Sequence, residues 1–151
     1  MNPMPVNDSN LPTPRSVATR PWILLLVDDE PDILEALKTL IESCLVGTKV
    51  ITASSGARAL DYLESGRIDA IISDFRMPGM DGIEFLRLAN KRFPRVPRVM
   101  LTAYADDALE ARAMKEAKVQ EFIPKAVHPG ELLNRLVKFL KFIPADLEPK
   151  P

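Results

Sequence analysis

Short β-branched or leucine-rich runs alternate strictly with longer stretches of helical periodicity, and this alternation constrains the fold more than any other feature of the sequence. A right-handed crossover through a helix returns the chain to the same sheet, so such strands form a parallel sheet covered on both faces. The sequence therefore predicts a doubly wound α/β domain with five helices and with five strands, at residues 22–27, 49–52, 68–73, 98–102 and 121–124.

The helical segments are marked by apolar residues at helical spacing. The first begins near Pro31 and carries an apolar face as far as Cys44, which we predict to be a buried core thiol. The second opens after Ser54 or Ser55 and ends at Gly66, where we expect a left-handed terminating conformation. The fourth has the weakest apolar stripe, so we expect it to be the most easily displaced. The last three helices are predicted within residues 83–93, 106–117 and 132–140.

Composition and length indicate one globular domain between two tails. We predict a disordered proline-rich tail at residues 1–21, a folded domain at 22–143, and a C-terminal tail or linker at 144–151. The net charge of −1 offers no basic patch, which argues against direct nucleic-acid binding. The apolar run at residues 22–27 is far too short to span a bilayer, and the N-terminus lacks the pattern of a signal peptide, so we predict a cytoplasmic protein without membrane contact.

Ionisable or hydroxyl groups stand at the ends of four predicted strands. Asp28 and Asp29 follow the first strand, Asp74 the third, Thr102 ends the fourth, and Lys125 follows the fifth. In an open parallel sheet, function collects at the carboxyl ends of the strands. We therefore expect these side chains to form one site.

The chemistry of this group favours phosphoryl transfer. Two carboxylates about 4 Å apart repel by roughly 4 kcal/mol at an effective dielectric constant near 20, so a bound cation is expected. Mg²⁺ suits oxygen ligands and is commonly held by one or two carboxylates plus a phosphate. A carboxylate can itself accept a phosphoryl group, and Thr102 and Lys125 supply a hydroxyl and an ammonium.

Four motifs, LVDDEPDI, SDFRMPGMDG, LTA and IPK, occur in this order and spacing between residues 22 and 142. Together they resemble the receiver domain of bacterial response regulators, in the CheY-like superfamily. The resemblance implies a flavodoxin-like strand order 2-1-3-4-5 and makes Asp74 the phosphoacceptor. It also implies that Asp29 binds Mg²⁺ directly, Asp28 largely through water, and Arg76 through its backbone carbonyl.

The same resemblance assigns the remaining site residues. Thr102 and Lys125 would contact the phosphoryl oxygens, and Phe122 matches the aromatic switch position. Arg76 and Tyr104 occupy positions that overhang the phosphoryl group, so their bulk would lengthen the phosphorylated lifetime. Most members of the family have proline after the lysine, where this chain has Ala126, and we predict a trans peptide bond there because a non-proline cis bond costs about 2.5 to 4 kcal/mol.

The resemblance also implies partners. A sensor histidine kinase or a phosphotransfer protein would supply the phosphoryl group, and an effector or a second copy of the chain would bind a face formed by the fourth helix, fifth strand and fifth helix. On this reading the protein is a signalling phosphoacceptor and not an enzyme acting on other substrates. A receiver fragment of a longer multidomain regulator, and a degenerate receiver that only binds proteins, remain as alternatives.

Other readings of the same residues are less specific. Asp28 and Asp29 could only cap a helix, Phe122 could only be core, and Lys125 alone would be a surface cation. His128 is predicted to be a surface or capping residue. A haloacid-dehalogenase-type phosphatase is disfavoured because the chain lacks Asp-x-Asp-x-Thr after the first strand, and a nucleotide switch because it lacks both glycine-rich phosphate motifs.

Overall fold

Strands and helices alternate throughout residues 21–141, the part of the chain that the computed structural model describes. The tails predicted at 1–21 and 144–151 therefore lie outside the described residues, apart from Pro21. The strands are β1 (Trp22–Val27), β2 (Thr48–Ala53), β3 (Ala70–Ser73), β4 (Arg98–Thr102) and β5 (Glu121–Pro124). The helices are α1 (Pro31–Cys44), α2 (Gly56–Ser65), α3 (Gly82–Arg92), α4 (Asp107–Glu116) and α5 (Pro129–Lys141).

The strands form one parallel sheet in the order β2-β1-β3-β4-β5. The predicted fold and strand order are thus confirmed. This order places β1 beside β3, with Val27 opposite Ser73, and β4 beside β5, with Thr102 opposite Pro124. The carboxyl ends of these four strands consequently meet at one edge of the sheet.

A separate hydrophobic core fills each face of the sheet because side chains alternate along each strand. On one face, Leu25 and Ile71 belong to a core shared with α2, α3 and α4. On the other face, Leu24 and Ile72 belong to a core shared with α1 and α5. Both faces are therefore covered, which explains why β1 is apolar at every position and not only at alternate ones. Within the described range, no helix is both long and apolar enough to cross a membrane.

Two local predictions are wrong. Cys44 is exposed, because the buried stripe of α1 continues from Leu34 and Ile41 to the half-buried Leu45 and leaves Cys44 outside it. Gly66 has φ −152°, an extended backbone that any residue adopts, and α2 ends with the Gly66 N–H bonded to the Tyr62 carbonyl. The α2 N-terminus is as predicted, since the Ser55 side chain accepts a hydrogen bond from the Arg58 N–H.

Arg98 is a charged residue inside the fold, with only 2% of its surface exposed. Its guanidinium donates to the carbonyls of Ala117 at 3.1 Å, Val96 at 2.7 Å and Lys118 at 2.8 Å. Burial lowers the pKa of Arg98 from its ordinary value. Two of the three acceptors lie at the end of α4 and just beyond it, so Arg98 ties that end to the start of β4.

Replacing Arg98 by methionine is expected to lower the free energy of unfolding by about 3 kcal/mol. A hydrogen bond from a charged group contributes about 1.5 to 3 kcal/mol, and the apolar side chain offsets only part of the loss of three. Urea unfolding followed by circular dichroism measures the change. Arg87→Met on the exposed side of α3 is the control, with an expected effect within about 0.5 kcal/mol. Equal midpoints for the two variants would contradict this role of Arg98.

Candidate functional site

Backbone hydrogen bonds that continue the strand pairing fix the residues at the carboxyl edge of the sheet. The N–H of Asp28 donates to the Ala53 carbonyl at 3.2 Å, and that of Asp74 to the Val27 carbonyl at 2.9 Å. The N–H of Lys125 donates to the Thr102 carbonyl at 2.9 Å. The sheet itself therefore positions four of the predicted site residues.

Three carboxylates form the centre of the site. Asp28, Asp29 and Asp74 each offer an oxygen atom, and these atoms lie within 4.8 Å of one another. Asp28 is 1% and Asp74 7% exposed, whereas Asp29 is half-buried. Asp28 Oδ1 accepts a hydrogen bond from the Glu30 N–H at 3.0 Å, and Asp74 Oδ1 accepts one from the Phe75 N–H at 2.8 Å. Hard oxygen ligands at this spacing fit a cation of the Mg²⁺ class.

Lys125 supplies the positive charge beside two of these carboxylates. Its Nζ lies 2.5 Å from Asp28 Oδ2 and 3.3 Å from Asp74 Oδ2. Burial opposes the ammonium charge, but the hydrogen bond to Asp28 and the neighbouring negative charges outweigh it, so the pKa of Lys125 is raised. No peptide bond in residues 21–141 is cis, which confirms the predicted trans bond before Ala126.

Asp74 has a carboxyl group that its surroundings make less acidic than usual. Burial raises the pKa of Asp74, the charge of Lys125 lowers it, and the charge of Asp28 raises it again, leaving a net increase. Thr102 is fully buried, and its side chain acts to lower the pKa of Asp74, which favours the ionised form. The Thr102 Oγ1 atom also accepts a hydrogen bond from the Tyr104 N–H at 3.1 Å.

Arg76 and Tyr104 contact each other above this edge of the sheet. The guanidinium carbon of Arg76 lies 4.1 Å from the centre of the Tyr104 ring, in a cation–π arrangement. Both side chains are exposed, Tyr104 by 48%. Both positions were assigned to the site from the sequence, but their contact could not be predicted, because the two residues lie in loops that follow different strands.

Phe122 and His128 lie away from the carboxylates. Phe122 is 5% exposed and belongs to the core shared with α2, α3 and α4, so its ring is packed inside the fold. Its ring borders a cavity of about 260 Å³ that is also lined by Asp106, Glu110 and Arg135. His128 is exposed, and its Nδ1 accepts a hydrogen bond from the Gly130 N–H at 3.0 Å, as expected of a capping residue.

Gly82 brings the start of α3 against the backbone of Asp74. Its N–H donates to the Phe75 carbonyl at 2.7 Å. A Cβ atom at this position would lie 2.0 Å from the Asp74 carbonyl oxygen, so only glycine fits. The neighbouring Asp81 caps α3 by accepting a hydrogen bond from the Glu84 N–H at 2.8 Å.

Comparison with known proteins identifies the family. The family model described as the response regulator receiver domain matches residues 24–137. The chain belongs to this family. Relatives include the cyclic di-GMP phosphodiesterase response regulator RpfG of Xanthomonas campestris, 34% identical over 121 residues, and the transcriptional regulatory protein GlrR of Escherichia coli, 38% identical over 117 residues.

These relatives are much longer than the matched region. Each match covers 78% of this chain but only 32% of RpfG and 26% of GlrR. Most of the length of each relative therefore lies outside the match, and the activities in their names are theirs.

Solved receiver domains share the architecture of the response-regulator chain. The signal receiver domain of an HD domain-containing protein from Pseudomonas fluorescens has a TM-score of 0.75 at 30% identity, covering 81% of this chain and 96% of that one. The response regulator TrrA from Thermotoga maritima, solved in complex with Mg²⁺ and beryllium fluoride, has a TM-score of 0.69 at 31% identity, covering 78% and 97%.

Proposed function

We propose that this receiver domain accepts a phosphoryl group on Asp74 from a sensor histidine kinase or a phosphotransfer protein, in a Mg²⁺-dependent reaction. The main observation behind the proposal is that oxygen atoms of Asp28, Asp29 and Asp74 lie within 4.8 Å of one another. The Lys125 ammonium pairs with two of these three carboxylates. Asp74 is the nucleophile because it alone of the three follows β3, beside both the acidic pair and Thr102. The domain catalyses only its own phosphorylation and dephosphorylation.

The metal would be held by Asp29, Asp74 and the backbone carbonyl of Arg76, with Asp28 acting largely through water. Two contacts support this ranking: Asp28 already uses both oxygens, one on the Glu30 N–H and one on Lys125, whereas Asp29 is half-buried. Mg²⁺ would neutralise charge that develops on the phosphoryl oxygens. The receiver TrrA, solved with Mg²⁺ and beryllium fluoride, supports the choice of metal.

Lys125 and Thr102 would contact the phosphoryl oxygens from two sides. The Lys125 Nζ lies only 3.3 Å from Asp74 Oδ2 and needs little movement to reach a group bound there. The Thr102 side chain already favours the ionised form of Asp74 by lowering its pKa. Thr102 is fully buried and its carbonyl holds the Lys125 N–H, which lowers the reorganisation that the transfer requires.

Labelling with acetyl phosphate tests this function. With Mg²⁺ we expect one phosphoryl group per chain by intact mass, and we expect none after chelation of the metal. Asp74→Asn keeps the shape of the side chain but removes the nucleophile, so labelling should be lost. The matched control Asp69→Asn changes another buried aspartate, at the opposite end of β3, and should still be labelled if folded. Undiminished labelling of Asp74→Asn would contradict the assignment.

Arg76 and Tyr104 would limit the access of water to the phosphorylated site. Their stacked side chains lie two residues beyond Asp74 and Thr102, in adjacent loops at the same edge of the sheet. We propose that the bulk of these two side chains lengthens the lifetime of the aspartyl phosphate.

The output surface would be the face formed by α4, β5 and α5, which an effector protein or a second copy of the chain would bind. Of its own residues, α4 buries only Leu109 and Ala113. The cavity of about 260 Å³ beside Phe122 leaves room at its first turn. We propose that a phosphoryl group on Asp74 attracts the Thr102 hydroxyl. This movement would stabilise the buried position of Phe122 and shift the start of α4.

Hydrogen exchange measures this shift. With Mg²⁺ and beryllofluoride, a phosphoryl mimic, we expect altered exchange at residues 106–122 as well as in the acidic pocket, because a thinly anchored helix opens easily. The Asp74→Asn protein under the same conditions is the control and should show no change. If hydrogen exchange in the wild type changed only in the acidic pocket and not at residues 106–122, the proposed switch would be wrong.

The chain would also serve as the receiver part of a longer regulator. The observation that favours this second reading is that the match covers only 32% of RpfG and 26% of GlrR. It leaves the phosphoacceptor function unchanged and differs only in what the switched face contacts. The cytoplasmic location and the absence of nucleic-acid or membrane contact stay predictions.

A further inference from the structure

Arg76 lies two residues beyond Asp74, but its guanidinium does not pair with the acidic site. Three aspartates cluster at the edge of the sheet from which Arg76 extends, yet among the described residues none forms an ion pair with it. Its contact is the face of the Tyr104 ring, at 4.1 Å. Arg76 is exposed and Tyr104 is 48% exposed, so this contact is a weak one in water.

The stack joins the two loops that leave the phosphoacceptor strand and its neighbour. Arg76 is two residues beyond Asp74, and Tyr104 is two residues beyond Thr102, on adjacent parallel strands. The Tyr104 N–H is bonded to Thr102 Oγ1, so the segment that carries the ring is attached to the hydroxyl beside Asp74. Asp106, two residues after Tyr104, caps α4 by accepting from the Leu109 N–H at 2.7 Å.

A phosphoryl group on Asp74 would be a stronger partner for the Arg76 guanidinium than the Tyr104 ring is. It adds about −1.5 to −2 charge and three acceptor oxygens. A guanidinium binds such oxygens through two parallel hydrogen bonds, which are stronger than its attraction to an exposed ring. Without a phosphoryl group the aspartates attract the guanidinium less strongly, because Lys125 already neutralises two of them.

We propose that the Arg76 side chain is a phosphoryl-binding group that rests on Tyr104 until Asp74 is phosphorylated and then moves to the phosphoryl oxygens. The move separates the stack and frees the Tyr104 segment that leads into α4. This inference rests on the proposed function and adds to it, because it gives a role to the charge of Arg76 and not only to its bulk. The move also links the phosphoryl group to α4 by a second route, beside Thr102.

Matched variants separate the effect of the Arg76 charge from the effect of its size. The measurement is the affinity for beryllofluoride in the presence of Mg²⁺, determined by calorimetry. Arg76→Met keeps the length and loses the charge, and should weaken binding about tenfold, the loss expected for a charge-assisted contact of about 1.4 kcal/mol. Arg76→Lys keeps the charge and should lose less. Tyr104→Leu removes the resting contact and should tighten binding by about threefold, the size of an exposed cation–π contact. Both substituted positions are exposed, and the backbone carbonyl of residue 76 is retained.

The outcomes distinguish this inference from the proposed function. If wild-type protein fails to bind beryllofluoride, the proposed function is wrong. If wild type binds and Arg76→Met binds equally well, the site stands and the role of the guanidinium is wrong. Weaker binding by Tyr104→Leu would show that the ring assists the bound state, which would overturn the resting position. A Tyr104 ring signal in NMR should shift on beryllofluoride binding in wild type, and an unchanged signal would contradict the separation of the stack.

Discussion

Replacing Gly82 with alanine is expected to destabilise the domain by about 3 kcal/mol, the upper range for overpacking, and to abolish phosphorylation. The added methyl group would lie 2.0 Å from the Asp74 carbonyl oxygen and 2.8 Å from the Phe75 Cα, both backbone atoms that cannot rotate away. Helix α3 would have to retreat, and the bond from the Gly82 N–H to the Phe75 carbonyl would break. The backbone that positions the phosphoacceptor would then be lost.

Gly79→Ala is the matched control for this substitution. Gly79 lies in the loop just before α3 with φ +78°, but a Cβ atom there would meet no atom within 4 Å. Gly79→Ala is therefore expected to lower the stability only through backbone strain, by about 1 to 2 kcal/mol for a left-handed residue. Thermal unfolding and acetyl phosphate labelling compare the two variants. If Gly82→Ala kept wild-type stability and labelling, the close approach of α3 to Asp74 would be wrong.

Replacing Lys125 with methionine is expected to have the second large effect, and one that the metal reverses. Lys125 is the cation bonded to Asp28, whose side chain is only 2% exposed, and the Lys125 side chain is 19% exposed. Removing one partner of a buried pair leaves an uncompensated charge and costs about 3 to 5 kcal/mol. A bound cation supplies a replacement charge, so saturating Mg²⁺ should restore much of the lost stability.

An exposed ion pair provides the control for Lys125→Met. Arg112 and Glu116 lie 3.4 Å apart with about half of each side chain exposed, at 52% and 44%. Exposed pairs of this kind contribute little, so Arg112→Met should unfold like wild type with or without Mg²⁺. Denaturant midpoints measured with Mg²⁺ and with a chelator give all four comparisons. A loss of stability in Lys125→Met that Mg²⁺ does not reverse would show that the metal binds elsewhere.

Much of the fold could be predicted because its signals are local. The strand β1 is apolar at every position, which is typical of a buried parallel strand, and every predicted strand is present within two residues at each end. Asp28, Asp74 and Thr102 could be placed together because parallel strands present their carboxyl ends at one edge. The roles of these residues in phosphoryl transfer remain predictions.

What the sequence could not predict depends on contacts between distant segments. The burial of Arg98 requires three carbonyls, of which those of Ala117 and Lys118 come near it only in the fold, and arginine is usually exposed. The Arg76 to Tyr104 stack joins two loops in the same way. Cys44 shows the converse error, since helical spacing predicted burial at a turn where the stripe moves on to Leu45.

A crystal structure with Mg²⁺ and beryllofluoride tests the central claim most directly, because the mimic bonds to the carboxylate that accepts the phosphoryl group. We predict beryllium on an oxygen of Asp74, with the Thr102 hydroxyl and the Lys125 ammonium on its fluorides. We also predict Mg²⁺ on Asp29, Asp74 and the Arg76 carbonyl. Beryllium on Asp28 or Asp29, or a metal ion outside this cluster, would contradict the account.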